Sequence, residues 1–529
     1  MYVNDVERCV VHGNVQYIEK YRDKLDMIDG NLVCNLEGNR TQELENLFKL
    51  IVPKIVNYIE TAEPSSGKYK AGSLGRYHDP QDLKKEFQEL DNLQNGVRGD
   101  YDKLLEVMDK VLEYSVNTWN AGFLDKLYAS NNPIGVISDT LLSVLNTNSH
   151  VYTVSPVLSV LENYISRKYA RLFFEDHPHS CGGLTFAGGS WSNITSMQMA
   201  RSLKYPETKT QGNGKYKFAI YSSEHCHYSV VKSAILMGLG SENVFKIPVT
   251  YAGTMKVDKL KEQIQASISQ GFTPLYINAT AGTTVFGSFD PFVEISRIAK
   301  DYNCWFHIDG SWGGNVVFSE AHKPKLNGCK FADSFTVNPH KMLGVPTICS
   351  FLLVPHVLYF QEAMSLAAPY LFHGNRDENE ENFDLADGTM GCGRRADSFK
   401  FYMAWLYYGQ DGFAKRINHA FEIQKYFVDK VSDMKNFSLV MASKDNLPPC
   451  LQVCFYYMPD NCAKSNTEVT RYISKELHRR GKFLVDYSPN PSDDKSGEFF
   501  RVVFNSPILT SAVIDDLINS IIDLGGGIS

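Results

Sequence analysis

The stretch PLYINATAGTTVFGSFDPFVEISRIAKDYNCWFHID, residues 274–309, contains the pattern that decides the fold. An apolar run, PLYINATA, is followed by the amphipathic segment FVEISRIAKDYN and then by a second apolar run, WFHID. Short apolar runs separated by a helical segment are typical of parallel strands joined by a crossover helix. This unit therefore predicts an α/β fold built on a parallel sheet.

The alternation extends upstream of this stretch and changes character near the C-terminus. YKFAIYSS, SVVKSAILMGLG, NVFKIPV and VDKLKEQIQASISQG continue the exchange of strand and helix. After about residue 440, short runs such as LQVCFYYM and FFRVVFN surround the helical TEVTRYISKELHRRG, which predicts an antiparallel sheet with helices on one face. We expect a polar helical segment over residues 1–100, a large domain over 101–435 and a small α+β domain over 436–529.

The charge, the cysteine spacing and the apolar runs of the sequence exclude several classes of function. Acidic residues outnumber basic ones by 60 to 53 in a chain of 529 residues, a formal charge of −7 that argues against a nucleic-acid-binding surface. The 11 cysteines show no CxxC pair and no metal-ligand spacing, so we expect reduced thiols and no metal. The N-terminus lacks a signal or transit pattern, and no apolar run is long enough for a membrane span. These features predict a cytoplasmic protein.

Parallel sheets bind ligands at the carboxyl ends of their strands, and several polar groups occur there in this sequence. In FAGGSWSNITSMQMARSL, residues 186–203, two glycines and a Ser-rich turn open an amphipathic helix. Backbone N–H groups at such a start bind anions, and Ser190 and Ser192 are additional donors. The segment is a candidate anion site, with an ordinary Ser-capped helix start as the structural alternative.

Two further strand ends carry ionisable side chains. His225 and His227 follow a strand in YSSEHCHYSVVKSA, a spacing that suits a metal only with further ligands, and none is evident nearby. Asp309 ends the apolar strand WFHID, where an unpaired carboxylate is costly, so it requires a cationic or N–H partner. That partner is either a structural arginine or the protonated ring of a ligand.

The stretch SFTVNPHKMLGVPT, residues 334–347, places Lys341 after His340 and among apolar residues. Burial there should lower the lysine pKa and raise the fraction of free amine that can attack a carbonyl carbon. This is the chemistry of Schiff-base formation. The structural alternative is a lysine that buries its stem and keeps its charge in water.

Together these segments supply an anion cradle, a flat aromatic side chain for stacking, an acid that can keep a ring nitrogen protonated, and a nucleophilic lysine. Pyridoxal 5'-phosphate requires these four features. The sequence has neither a dinucleotide glycine fingerprint nor a P-loop, which excludes plain nucleotide binding. The combination favours a pyridoxal 5'-phosphate enzyme, and a cofactor-free interaction protein with the same fold is the alternative from another class.

From about residue 110 onward the chain resembles the group II pyridoxal-phosphate-dependent amino-acid decarboxylases, in particular the glutamate and cysteine-sulfinate decarboxylases. The resemblance is carried by LNTNSHVYTVSPVL, GGSWSN, SEHCHYS, ATAGTTVFGSFDP, HIDGSWGG, NPHKMLGVP, CGRRAD and FFRVVFNSP, in this order. It implies the fold type I of pyridoxal-phosphate-dependent transferases, the aspartate aminotransferase type. That fold has a large domain with a mainly parallel seven-stranded sheet and a small α+β domain.

By this resemblance, Lys341 forms a Schiff base with the cofactor, His227 stacks over its ring and Asp309 pairs with its pyridinium nitrogen. The other implied cofactor contacts are at the phosphate (Trp191 and Ser192, with Asn338 nearby), at the ring (Thr284) and beside the lysine (His340). The catalytic residues are thus expected to be Lys341, His227 and Asp309.

The resemblance also implies the reaction, which is loss of the α-carboxylate as CO2 through a Schiff base and a quinonoid intermediate. Arg501 in FFRVVFNSP matches the arginine that binds the substrate α-carboxylate. Lys126 in GFLDKLYAS lies where glutamate decarboxylases have Gln in the distal pocket. A strand-edge arginine and a solvent-facing lysine are the structural alternatives. We expect an acidic substrate, glutamate first and aspartate or cysteine sulfinate next, ahead of an aromatic amino acid.

In the family, a mobile loop contributes a tyrosine that delivers the proton to Cα. Here the loop reads EENFDLADGTMGCGRR, with Phe383 at the matching position, and phenylalanine cannot donate a proton. The alternative product is an aldehyde formed with oxygen, unless His227 or Tyr370 supplies the proton. Family members are homodimers with active sites at the interface, so we expect a homodimer in which residues 1–100 contact the partner, and in which Phe383 and Lys126 could serve the neighbouring site.

Overall fold

The computed structural model describes residues 40–70, 72–88, 101–366, 382–490 and 495–528. These belong to two compact units, Met1–Asn120 with His478–Lys482 and Ala121–Leu477 with Phe483–Ser529. Both sheets described below lie in the second unit, which therefore contains the candidate site. The domain boundaries expected near residues 100 and 435 stay predictions.

The described residues up to Asn120 in the first unit form the α-helices α1 (Arg40–Glu60), α2 (Pro80–Gln88) and α3 (Tyr101–Tyr114). The first two correspond to the helical patterns of the N-terminal segment. Lys54 Nζ on α1 lies 2.8 Å from Asp109 Oδ2 on α3, and Lys110 Nζ on α3 lies 3.1 Å from Glu86 Oε2 on α2. Exposed pairs of this kind contribute about 0–1 kcal/mol each. The Phe87 ring of α2 also lies 6.3 Å from the Tyr114 ring of α3, so aromatic and polar contacts both join these helices.

The larger sheet has seven strands: β2 (Gly182–Phe186), β3 (Phe218–Ser223), β4 (Val244–Ile247), β5 (Thr273–Thr280), β6 (Trp305–Gly310), β7 (Ser334–Val337) and β8 (Ser350–Val354). Their order across the sheet is β2-β8-β7-β6-β5-β3-β4. Strand β8 is antiparallel to both of its neighbours, and the other neighbouring pairs are parallel. The predicted mainly parallel seven-stranded sheet is confirmed.

Helices precede, connect and follow these strands. They are α4 (Pro133–Leu145), α5 (Pro156–Ala170), α6 (Gly189–Lys204), α7 (Thr208–Gln211), α8 (Ser229–Leu236), α9 (Val257–Ser269), α10 (Phe292–Asp301), α11 (Pro339–Met342), α12 (Tyr359–Met364) and α13 (Ser398–Val431). Every residue of β6 is buried, which explains why this strand reads as a continuous apolar run.

The smaller sheet combines four C-terminal strands with one strand from far upstream. Its strands are β1 (Phe123–Leu124), β9 (Phe437–Leu439), β10 (Gln452–Tyr457), β11 (Leu484–Pro489) and β12 (Glu498–Val503), in the order β1-β11-β12-β10-β9. The helices α14 (Asn466–Arg479) and α15 (Ser511–Gly526) follow in the same region. The antiparallel sheet expected after residue 440 is present, and β1 joins it in parallel with β11. A two-residue strand has no sequence period, so it was not predicted.

The direction of the strands places the candidate residues at one edge of the larger sheet. Strands β2, β3, β5, β6 and β7 run the same way, so their carboxyl ends meet at one edge of the sheet. The segments that follow them contain Gly189, His227, Thr284, Asp309 and Lys341. These residues are far apart in sequence, and the topology brings them to one edge.

Two further observations concern the described residues. None of their helices is long and apolar enough to cross a bilayer. Their nine cysteines are all free thiols, as expected from the scattered spacing.

Candidate active site

Lys341 lies in the short helix α11, directly after β7. Asn505 Nδ2 donates to Lys341 O at 3.0 Å, and Arg416 Nε donates to Met342 O at 3.0 Å. Within the described part of the chain, the Lys341 ammonium group has no hydrogen bond and no ion pair. Burial lowers the Lys341 pKa, an effect that the charge of Asp309 opposes. The side chain is therefore closer to its neutral, nucleophilic form than an exposed lysine.

His340 supports the main chain next to this lysine. Its Nδ1 lies 2.6 Å from Cys349 O and 3.1 Å from Cys349 N. Burial lowers the pKa of His340 to about 4, so the ring is neutral at ordinary pH. The described contacts of the ring connect the lysine segment to the start of β8, and a direct contact with the cofactor stays a prediction.

Asp309 lies near the end of β6 and is only 5 % exposed. Asn193 Nδ2 donates to its Oδ2 at 2.8 Å, and the Ser311 backbone N–H donates to its Oδ1 at 3.0 Å. Burial on its own would raise the pKa of Asp309, but His227 and these two hydrogen bonds together hold the pKa below its ordinary value. No lysine or arginine of the described chain forms an ion pair with it. An ionised carboxylate thus ends the strand without the structural arginine considered above.

His227 follows β3 and lies within electrostatic range of Asp309. The Ser229 backbone N–H donates to its Nδ1 at 3.2 Å. Burial lowers the His227 pKa more than Asp309 raises it, which favours a neutral imidazole. His225 differs, because both its ring nitrogens are buried without a hydrogen-bond partner among the described residues, and the ring packs 5.4 Å from that of Phe286. The described residues contain no group of three possible metal ligands.

The N-terminus of α6 forms a cradle with two other segments. A Cβ atom built on Gly189 would lie 2.5 Å from Ser311 Oγ and 3.0 Å from Asn338 Nδ2, so only glycine allows this approach. Gly188 precedes it with φ of +109°, a backbone conformation that side chains rarely adopt. Asn338 Oδ1 is buried without a partner in the described chain. Backbone N–H groups, a hydroxyl and an amide therefore converge at one helix start, as an anion requires.

The serines and the tryptophan of this helix start differ in their surroundings. Ser192 is fully buried, and its hydroxyl lies 2.9 Å from Ser350 Oγ. Ser190 and Trp191 are exposed. The Ser192 hydroxyl is therefore engaged inside the protein, and the phosphate contacts predicted for Trp191 and Ser192 stay predictions.

Arg501 on β12 lies beside the loop that follows β5. Its guanidinium donates to Thr284 O at 2.8 Å and to Asp125 O at 3.1 Å, and it pairs with Asp486. Its charge is also close enough to lower the pKa of Lys341. The structure thus brings Arg501, Thr284 and Lys341 together and does not place the arginine at an exposed strand edge.

Lys126 is close to the same carboxylate. Its Nζ lies 3.0 Å from Asp486 Oδ2 and 3.3 Å from Asp125 Oδ2, with about half of the side chain exposed. Asp486 therefore lies between the two cations, Lys126 and Arg501. Lys126 and Arg501 carry two positive charges, and Asp486 and Asp125 carry two negative charges. An acidic ligand therefore binds there only if its carboxylate replaces one of these two.

Comparison with known proteins gives the family. The model of the pyridoxal-dependent decarboxylase conserved domain matches residues 80–458. The chain belongs to the pyridoxal-dependent decarboxylase family. An L-aspartate decarboxylase of Metarhizium robertsii is 44% identical over 493 residues, which cover 90% of this chain and 95% of that protein. A glutamate decarboxylase-like protein of Gibberella zeae is 34% identical over 459 residues, covering 79% of this chain and 86% of that one.

Solved structures show the same fold for this decarboxylase. Mouse CSAD in its apo form aligns with a TM-score of 0.80 at 28% identity and covers 90% of this chain and 99% of that chain. A Rhodiola rosea 4-hydroxyphenylacetaldehyde synthase aligns with a TM-score of 0.78 at 21% identity and covers 92% of this chain and 99% of its own, a likeness that concerns the fold alone. The predictions of fold type I, of pyridoxal 5'-phosphate as cofactor and of an amino-acid decarboxylase are confirmed.

The residues of the decarboxylase fit this cofactor. The cradle at Gly189, where a Cβ would fill the space, and the Asn338 Nδ2 donor beside it suit a phosphate. Lys341 offers a buried amine of the kind that an aldehyde requires, Asp309 a carboxylate of the kind that a ring nitrogen requires, and His227 a flat ring with a lowered pKa, and their contacts with the cofactor stay predictions. Each requirement of the cofactor is thus met by a group of the expected chemistry.

Phe383 packs against Tyr152. The two ring centres are 5.8 Å apart, and the Tyr152 backbone N–H donates to the neighbouring Asp384 at 2.9 Å. Among the described residues, no hydrogen bond, ion pair or ring contact joins Phe383 to Lys341. Tyr370 lies outside the described residues. The role of Phe383 in the decarboxylase therefore stays a prediction that depends on a second subunit.

Three functional candidates were not found from sequence. Ser311 lies in HIDGSWGG, and its position just after β6 was the signal that could have shown it. Asn193 belongs to GGSWSN and bonds to Asp309. Asp486 lies on β11 and reaches Lys126 because β11 pairs with β1. This contact joins residues more than 300 positions apart, so the local sequence gives no sign of it.

Proposed function

We propose that the decarboxylase removes the α-carboxylate of an acidic L-amino acid and releases the corresponding amine and CO2. L-Aspartate, which would give β-alanine, is the first candidate, with glutamate and cysteine sulfinate next. The observation that carries the proposal is the pair of cations, Arg501 and Lys126, beside the loop that contains Thr284. The identity of 44% to an L-aspartate decarboxylase supports aspartate ahead of the glutamate expected from sequence.

Three groups would serve the cofactor. Pyridoxal 5'-phosphate, when bound, supplies the electron sink for the bond that breaks at Cα. The Lys341 amine is the group that would bind its aldehyde carbon, and the ionised Asp309 would keep a proton on its ring nitrogen. A neutral His227 can lie flat against a ring without adding charge to it.

Two groups would hold the substrate. Arg501 presents a guanidinium that can bind one carboxylate through two hydrogen bonds, and Lys126 is a point charge for the other. Its guanidinium is anchored by two backbone carbonyls, those of Thr284 and Asp125. This anchoring would keep its orientation when a substrate carboxylate replaces Asp486.

The second candidate outcome is an aldehyde, and Phe383 is the observation that favours it. With phenylalanine at the position of the family's tyrosine, the proton for Cα would come from another group, and His227 and Tyr370 are the candidates. If neither donates, oxygen would take the electrons and an aldehyde would result. An aromatic substrate is disfavoured, because its side chain has no carboxylate that could replace Asp486 at Lys126.

The test is a screen of amino acids with the purified, cofactor-loaded enzyme, with products measured by mass spectrometry under air and under nitrogen. We expect aspartate to give β-alanine in both gases, at an unchanged rate and without hydrogen peroxide. Lys341→Ala should abolish both product and visible absorbance. Faster turnover of an aromatic acid would overturn the proposed substrate class, and an aldehyde formed only under air would establish the second outcome.

Substrate recognition has its own control. Lys126→Met should raise KM for the acidic substrate by about tenfold, which corresponds to about 1.4 kcal/mol of lost charge interaction. Lys435→Met is the matched control, because that lysine is also exposed and paired, to Asp460 at 3.0 Å, without contact to Asp486. Equal KM values in the two variants would remove Lys126 from the substrate site.

The assembly and location of the enzyme belong to the same proposal. We expect a homodimer, as the family resemblance implies, and a cytoplasmic location, which the free thiols of the described cysteines support. Light scattering during gel filtration measures the mass, for which the monomer is 59.7 kDa. A monomer with full activity would exclude a site that requires residues of two subunits.

A further inference from the structure

A chain of buried hydrogen bonds runs behind Asp309. The indole Nε1 of Trp305 donates to Ser334 Oγ at 2.8 Å, and Ser334 Oγ lies 2.8 Å from His307 Nδ1. On the other side of the imidazole, His307 Nε2 lies 3.1 Å from Asn193 Oδ1, and Asn193 Nδ2 lies 2.8 Å from Asp309 Oδ2. None of these side chains is more than 5 % exposed, so the chain is shielded from water.

The fold explains why these side chains meet. Trp305, His307 and Asp309 alternate along β6 and therefore share one face of the strand. Ser334 is the partner of His307 in the neighbouring strand β7. Asn193 projects from the first turns of α6, the helix that also forms the anion cradle. The chain thus links the acid of the site to the interior of the sheet.

The carboxylate end of the chain sets the direction of its protons, and the indole end is compatible with it. An indole N–H can only donate, so the Ser334 oxygen accepts it and the Ser334 hydroxyl proton can go to His307 Nδ1. An ionised carboxylate can only accept, so Asp309 requires the NH2 group of Asn193. The Asn193 oxygen then accepts from His307, which places the proton of the imidazole on Nε2.

The opposite arrangement is unfavourable at its last link. With the imidazole proton on Nδ1, His307 Nε2 would accept from Asn193 and the amide oxygen would face Asp309. Two acceptors would then lie 2.8 Å apart in a buried site, unless the acid were protonated. Burial also lowers the His307 pKa to about 4, so the ring is neutral and carries one proton only.

Ser196 forms a side branch that does not change the direction. Its hydroxyl lies 3.0 Å from His307 Nδ1, 2.8 Å from Ser334 Oγ and 2.9 Å from Tyr276 OH. Every contact of this branch on the imidazole is at Nδ1. Hydroxyl groups can donate or accept, so the branch adapts to the direction set by the carboxylate end.

We propose that Trp305, Ser334, His307 and Asn193 form a one-way hydrogen-bond chain that keeps Asp309 an acceptor at Oδ2. Asn193 and His307 are then positioning residues, which act on the cofactor only through the carboxylate. The consequence for the cofactor rests on the proposed pairing of Asp309 with the ring nitrogen. The proton positions belong to the protein alone and can be measured without cofactor.

The first test is the tautomer of His307 in the apoprotein. Two-bond ¹H–¹⁵N correlation spectra at pH 7 distinguish a proton on Nε2 from one on Nδ1, and the His307 signals are identified by their loss in His307→Gln. We expect the Nε2–H form alone. A proton on Nδ1, or a charged ring, would overturn the inference.

The second test uses the geometry of amide side chains. Glutamine at position 307 places its nitrogen near the position of Nε2 and can still donate to Asn193, whereas asparagine places its nitrogen near Nδ1 and cannot. We expect His307→Gln to bind pyridoxal 5'-phosphate within about threefold of the wild-type affinity and His307→Asn on the order of tenfold more weakly, the effect of one lost buried hydrogen bond. Equal binding by the two variants would contradict a donor role at Nε2.

The third test removes the indole N–H of Trp305, the first donor of the hydrogen-bond chain. Trp305→Phe loses the indole donor and should let both tautomers of His307 appear, with a shifted pH titration of the bound cofactor's absorbance. Trp312→Phe is the matched control, because Trp312 is equally buried and donates to Gln452 Oε1 at 2.8 Å, outside the chain. The same result for both variants would overturn the inference. A wild-type protein that fails to bind the cofactor would instead refute the proposed function and leave the tautomer result standing.

Discussion

Replacing Gly189 by alanine tests the anion cradle most directly. The new Cβ would lie 2.5 Å from Ser311 Oγ and 3.0 Å from Asn338 Nδ2. Real Cβ atoms do not approach other atoms this closely, so the Ser311 hydroxyl has to rotate away and the amide has to move. Both displaced groups are proposed phosphate donors, while the core beneath them is untouched. The substitution should therefore affect cofactor binding much more than folding.

The magnitudes separate the two effects. Alanine is favoured over glycine in a helix by up to about 1 kcal/mol, and a side chain forced off its preferred rotamer costs roughly 0.5–1.5 kcal/mol. These terms nearly cancel, so the free energy of unfolding of the apoprotein should change by less than about 1 kcal/mol. Loss of one hydrogen bond to a charged phosphate costs about 1.5–3 kcal/mol, which weakens cofactor binding by about 10- to 150-fold.

Two measurements are required. Fluorescence titration of the apoprotein with pyridoxal 5'-phosphate gives the dissociation constant, and urea unfolding gives the stability. Gly391→Ala is the matched control, since no atom lies within 4 Å of its Cβ position. If Gly189→Ala unfolds normally and binds the cofactor as tightly as Gly391→Ala, the phosphate does not lie in this cradle.

Three further predictions concern stability, pH and substrate binding. Glu162 is fully buried and paired with Arg394, so Glu162→Gln should lower the free energy of unfolding by about 3–5 kcal/mol in urea denaturation; a loss below about 1 kcal/mol would contradict this. Because burial lowers the pKa of His340 to about 4, its stabilising contribution is complete above the unfolded-state value near 6.5 and is lost as pH falls toward 4. The loss is about 3 kcal/mol, and it should disappear in His340→Asn when unfolding is followed from pH 7 to 4. Asp486→Asn removes the carboxylate that competes with the substrate for Lys126 and Arg501, so KM for the acidic substrate should fall by about fivefold. The control Asp460→Asn should leave KM unchanged. A higher KM in Asp486→Asn would show that Asp486 orients the site instead.

The fold was predictable because its pattern is local. Apolar runs alternating with amphipathic segments require only neighbouring residues, and every residue of β6 is buried as its composition suggests. Asp309 and Lys341 were also predictable, because each directly follows or ends a strand of a parallel sheet, where ligand-binding groups collect. The position of a residue relative to its own strand is thus sufficient to identify it.

The partners of these residues were not predictable. The phosphate contact expected of Ser192 stays a prediction, and the contact of its hydroxyl with Ser350 in β8 had no signal in the sequence. The sequence left two positions possible for Lys126, in the substrate pocket or facing solvent. Its contact with Asp486 joins residues 360 positions apart in the sequence. Such contacts depend on how separate elements pack, and a single sequence contains no record of that packing.

The sequence by itself predicted the fold class and the cofactor, which are confirmed, and it proposed Lys341 and Asp309 as the lysine and the acid of the site, because these follow from residue type and local period. Only the tertiary structure decided that Arg501 reaches Asp125 O across 376 residues, that Asp486 lies between two cations, and that the Asn193 amide turns its nitrogen toward Asp309. The physical reason is that a hydrogen bond forms only within a few tenths of an ångström of its optimal distance. Side chains on distant elements meet that requirement only after the whole unit has packed.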